Sequence, residues 1–128
     1  MIKKYFTAIF LSLFGFMNIS CNSQTLPSLP PDEFAEGLKK ENVILLDVRT
    51  PDEYLESHLK GAVQIDYHDE NFAEQVSELD TNKTVYVYCR SGSRSAGAQE
   101  IMLKQHFKNV INLKGGIVAW KKAGLPVE

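Results

Sequence analysis

Cysteine is nearly absent from this chain: its 128 residues contain two, Cys21 and Cys89. So few thiols exclude a disulfide-stapled scaffold, and a folded domain here must stand on its apolar core. Arginine is almost as scarce, with three (Arg49, Arg90 and Arg94) against eleven lysines. Positive charge is not in surplus either. The formal net charge is -2, which offers no field for nucleic acid or anionic lipid. Internal repeats and low-complexity tracts are also missing, and the length allows one domain of ordinary size.

The one long apolar run lies at the start, in MIKKYFTAIFLSLFGFMNISCNSQ. Lys3 and Lys4 precede the run, and small and polar residues close it before Cys21. That pattern is a secretory signal, too short and wrongly flanked for a spanning helix, with a retained N-terminal anchor as the alternative. The serine–cysteine pair at its end resembles a bacterial lipoprotein signal, in which Cys21 is acylated and becomes the mature N-terminus. Asn18 departs from that pattern, which has an aliphatic there, and plain cleavage near Ser20 or Ser23 stays open. The expected organisation is a signal over 1–20, a polar, proline-bearing tether over 21–30 and a domain over 31–128. Such a protein is exported to the periplasm or cell envelope and meets the membrane only through a lipid on Cys21. Cleavage before Cys21 removes two lysines and no acid, so the charge of -2 becomes -4.

What is present is alternation. Residues 31–41 open with proline and acids and predict a helix. The apolar run 43–48 predicts a strand buried on both faces. Thr50 and Glu53 form a capping box, with Pro51 in the first helical position. A strand over 62–66 and a helix over 70–79 capped by Asp69 follow, then a strand over 84–88 and a longer helix over 93–106. A strand over 109–113, the Gly115–Gly116 break and a short helix ending at Gly124 complete the pattern. This predicts an α/β fold, a mostly parallel central sheet with helices on both faces. In such sheets the binding crevice lies beyond the strands' carboxyl ends, where Asp47, Arg49, Cys89 and the Gly115–Gly116 turn are delivered.

The stretch VYVYCRSGSRSAG, 85–97, runs a strand into a turn of glycine, serine and arginine around Cys89. A backbone wrapped over 90–94 and leading into a helix aims successive N–H groups at the sulfur and adds the helix's partial positive charge. Gly92 permits the turn, and Arg90 and Arg94 supply formal charge. All three effects favour thiolate, so Cys89 is expected to titrate below the ~8.5 of a free cysteine. A buried structural cysteine is the bland alternative. It leaves unexplained why two scarce arginines, suited to bidentate recognition of oxyanions, sit beside the thiol.

From about residue 28 onward the chain resembles a single-domain rhodanese, a thiosulfate sulfurtransferase. The resemblance rests on LLDVR at 45–49, EY at 53–54, SHLKGA at 57–62, YCRSGSRS at 88–95 and NLKGGIVAWKKAGLPV at 112–127. It implies a persulfide carried on Cys89, with Arg90, Ser91, Gly92, Ser93 and Arg94 as the substrate-binding loop and Arg94 near its mouth. It also implies a small-molecule sulfur donor, a thiol or cyanide acceptor, and no metal or organic cofactor. Ser57 and Lys60 stand where the family commonly has glycine and proline. Asp47 and Arg49 are read as a structural charge pair, extended to Glu53, and His58 as a hydrogen-bonding residue of its turn. Trp120 is read as core. A monomer is assumed. The rival enzymes, phosphatases and arsenate reductases, also hold a cysteine in an anion loop. The related phosphatases have five residues between cysteine and arginine where this chain has four, and tend to have histidine where it has Tyr88. A persulfide-relay or binding module for a partner protein is the other alternative.

Overall fold

The structure, a computed structural model, describes residues 26–128. The signal over 1–20 and Cys21 lie outside the described residues. Five strands, β1 (Ser28–Leu29), β2 (Val43–Asp47), β3 (Val63–Gln64), β4 (Thr84–Tyr88) and β5 (Val110–Leu113), alternate with five helices. These are α1 (Pro31–Leu38), α2 (Pro51–Glu56), α3 (Phe72–Ser77), α4 (Ser93–Lys104) and α5 (Gly116–Lys122). The strands form one sheet in the order β1-β5-β4-β2-β3, and every pairing is parallel. Among the described residues no helix is long and apolar enough to cross a membrane.

Side-chain alternation along β4 sorts the core into two halves. Val85, Val87 and Cys89 point into one cluster with Phe72, Val76, Ala98 and Met102 of α3 and α4. Tyr86 and Tyr88 point into the other, with Phe34 of α1 and Ile117 and Trp120 of α5. The sheet is therefore covered on both faces, and the same alternation turns Cys89 toward α4 rather than α1. Trp120 is core, edge-on to Phe34, and its indole N–H is satisfied by the Pro126 carbonyl at 2.9 Å.

Three local expectations change. The tether expected over 21–30 contributes strand β1, because Leu29 packs against the α1/α5 cluster. The Asn112 N–H donates to Pro27 O at 3.0 Å and the Lys114 N–H to Leu29 O at 2.8 Å. Two residues are too few for a periodicity to show in sequence. Asp69 does not cap α3 directly: the helix starts at Phe72 after Asn71, and the Asp69 carboxylate instead accepts from the Asn71 N–H at 2.8 Å, two residues before the cap position. The strand expected over 62–66 is regular only at Val63–Gln64, an edge strand on β2.

Candidate active site

β4 is the central strand, and Cys89 follows its last residue. The thiol is 1 % exposed. Gly92, with φ of 105°, turns the chain into α4, a left-handed conformation that side chains disfavour. Its N–H then donates to Cys89 Sγ at 3.1 Å, and the Ser95 hydroxyl lies 3.2 Å from the same sulfur. Burial alone pushes this thiol up. The Ser95 hydroxyl and the N–H groups of Ser95, Gly92 and Ser91 outweigh it and hold the thiol below its ordinary value. Backbone donors and a hydroxyl, more than the arginines, account for this lowering.

The loop is clamped from outside. The N–H groups of Ile117 and Val118 donate to the carbonyls of Cys89 and Arg90 at 3.0 and 3.2 Å. Asn112 Nδ2 donates to Gly92 O at 3.0 Å. Gly116 makes this approach possible: a Cβ there would lie 2.6 Å from Cys89 O and collide with the Arg90 carbonyl. The Gly115–Gly116 turn is thus a contact surface for the cysteine loop.

Asp47 and Arg49 form the charge pair read from sequence. Both are buried, with Arg49 Nε and Nη2 on the Asp47 carboxylate at 3.0 and 2.7 Å. Arg49 Nη2 also holds Ser57 O at 2.7 Å, tying the strand end to the chain after α2. The Tyr88 hydroxyl donates to Asp47 Oδ2 at 2.6 Å and accepts from the Leu59 N–H at 3.1 Å. Burial first, and then the Asp47 carboxylate, push that phenol well up, so it remains a neutral donor. Glu53 does not extend this pair. Its carboxylate accepts both terminal nitrogens of Arg94, at 2.8 and 2.9 Å, while also closing the capping box with Thr50. Led by the Arg94 hydrogen bond, these contacts hold the Glu53 carboxyl down at about 2. Arg94 is therefore committed to a carboxylate, whereas Arg90, Ser91 and Ser93 are exposed on the loop. His58 stacks on Tyr54 with ring centroids 3.8 Å apart, and its Nδ1 lies 2.9 Å from Tyr54 O; its polar contacts are with Tyr54 and Glu128, not Cys89.

The profile of the rhodanese-like domain matches residues 30–123. The chain belongs to that family. Relatives of this rhodanese-like chain include a protein named sulfurtransferase from Allochromatium vinosum, 39% identical over 87 residues, which are 68% of this chain and 79% of the relative. A thiosulfate sulfurtransferase GlpE from Actinobacillus pleuropneumoniae is 29% identical over 83% of this chain and 96% of its own. Among solved structures, a rhodanese-related protein from Thermoplasma volcanium superposes with a TM-score of 0.71. It is 28% identical, over 80% of this chain and 97% of that one. The rhodanese-like domain of an Anabaena protein gives 0.71 at 27% identity, over 81% and 80%.

Sequence reasoning about this rhodanese-like domain missed Ser95 and Asn112. Ser95 had a signal: it falls in the first turn of the helix that follows the loop, where a side chain reaches back toward Cys89. Asn112 had none, since only the packing of β5 against the loop gives it a role.

Proposed function

We propose that the domain is a sulfurtransferase that moves sulfane sulfur from thiosulfate, or a related donor, to a thiophilic acceptor through a persulfide on Cys89. The observation that carries this reading is the thiol itself: buried, yet held toward thiolate by N–H groups and a hydroxyl that converge on sulfur. The names of the relatives support the same reading. In the first half-reaction the Cys89 thiolate attacks the outer sulfur of thiosulfate. A new S–S bond forms as the donor's S–S bond breaks, and sulfite leaves with the electron pair. The loop donors that held the thiolate then face the outer sulfur of the persulfide. In the second half-reaction a thiolate or cyanide attacks that sulfur, and Cys89 leaves as the thiolate. No proton need be removed from Cys89 in either direction, so no general base is assigned, and His58 is left to its turn. With this reading go export and acylation at Cys21.

Intact-mass measurement after thiosulfate treatment tests the assignment. The native protein should gain one sulfur atom, and folded Cys89→Ser none; a loaded serine variant would sink it. Loading by a small donor also separates an enzyme from a relay module, which would load only from its protein partner. Cys21→Ser should release the protein from membranes or stall its processing, whereas a wild type already soluble and starting at a later residue would exclude acylation.

A further inference from the structure

Beside the cysteine loop, between α2 and α5, lies a cleft of about 330 Å³. Its charged lining is Arg49, Glu53, Glu56, Arg90 and Lys121; Cys89 does not line it, and the cleft abuts the loop at Arg90. Two of these charges are already met, Arg49 by Asp47 and Glu53 by Arg94. Arg90 and Lys121 have no carboxylate partner among the described residues, and Glu56 has no cation. The placement of Lys121 follows from α5. Ile117 and Val118 are pinned to the loop carbonyls by their N–H groups, and Lys121 comes one turn later on the same helix face.

We propose that Arg90, on the outer side of the cysteine loop, and Lys121 of α5 form an oxyanion subsite in this cleft. It binds the charged end of a substrate: the sulfonate of an anionic sulfur donor or the carboxylate of a thiol acceptor. Arg94, which the resemblance placed with Arg90 in the substrate-binding loop, has its guanidinium on Glu53 and braces α4 against α2. Two cations without a carboxylate partner, one on the cysteine loop and one on α5, line one concavity that abuts the loop, an arrangement suited to a small oxyanion. Glu56 opposes it across the cleft and weakens binding. The proposal rests on the sulfur-transfer reading above and names which residues select its substrates.

The two half-reactions are to be measured separately in Lys121→Glu and in Lys122→Glu, which carries the same charge change on the same helix but outside the cleft. For the donor, Lys121→Glu should raise the half-saturating thiosulfate concentration for loading about fivefold, with the maximal rate within about twofold. Lys122→Glu should match the native protein, and Glu56→Gln should load at lower thiosulfate. For an acceptor carboxylate, the loss should appear instead in unloading by 3-mercaptopropionate and not by uncharged 2-mercaptoethanol. Either loss supports the subsite and says which substrate occupies it; equal behaviour of the two lysine variants in every arm overturns it. If the native protein never loads sulfur, the sulfur-transfer reading fails separately. The subsite is then read from thiosulfate binding to Cys89→Ser: shifted amide resonances over 117–121 that vanish on adding Lys121→Glu support it, and unshifted ones overturn it.

Discussion

At the scale of single residues the chemistry comes down to what surrounds one sulfur. Hydrogen bonds donated to the Cys89 sulfur favour the thiolate, and burial opposes them. The rate of alkylation by iodoacetamide should therefore follow a midpoint below the ~8.5 of a free cysteine. Ser95→Ala removes the hydroxyl and leaves the burial, so its midpoint should move upward; an unmoved midpoint would show that the hydroxyl does not hold the charge. Cys89 was legible in the sequence because its neighbours are local, a strand before it and a glycine-serine-arginine turn after it. The partner of Arg94 was not. Glu53 lies 41 residues away, and its capping box with Thr50 already gave it a satisfactory local role.

At the scale of elements, the Glu53–Arg94 pair joins α2 to the start of α4, the helix that carries the cysteine loop. The folded Glu53 carboxyl lies near 2 and the unfolded one near 4.5. Its contribution is thus present above pH 4.5 and is lost as pH falls toward 2. Glu53→Gln keeps the capping box, since glutamine serves that position too, and removes the charge together with one of the two hydrogen bonds from Arg94. It should cost about 1 kcal/mol at pH 7, and the gap in urea midpoints should narrow as pH is lowered from 4.5 toward 2. A gap that persists there would assign the loss to packing. The loop offers a second element-scale test. Four residues separate Cys89 from Arg94, and so short a ring should fit a terminal sulfur better than a phosphoryl group with three oxygens. One residue inserted between Gly92 and Arg94 should displace N–H donors from sulfur and slow transfer measurably, since a lost preorganised donor costs roughly 3–4 kcal/mol at the barrier. The native protein should leave p-nitrophenyl phosphate almost untouched; robust hydrolysis would overturn the loop-length reasoning. Long apolar runs and a capping box made β2, α2 and β4 readable in advance. Strand β1 was hidden because two residues acquire strand character only from the β5 backbone beside them.

At the scale of the molecule, β1 is the edge of the sheet, and Gln99 holds it there. That buried side chain donates to Pro27 O and Val110 O at 2.8 and 2.9 Å, bridging α4 to both edge segments. Removing residues 1–30 should leave this donor half-satisfied and bare the β5 edge, costing about 2 kcal/mol in urea unfolding and raising the tendency to self-associate. Equal midpoints would show that residues 26–30 contribute nothing to the fold. The depth of Cys89 has a different consequence. An unloaded thiol 1 % exposed is out of reach of another protein's cysteine, so the resting domain is shielded from mixed disulfides. A persulfide extends the side chain by one S–S bond, about 2 Å. On the sulfur-transfer reading the loop donors hold that outer sulfur as well, so the domain keeps its cargo under the same cover as its thiol. A bulky maleimide should consequently label loaded and empty protein equally slowly while cyanide, small enough to enter, removes the sulfur; fast maleimide labelling of either form would show that the loop opens.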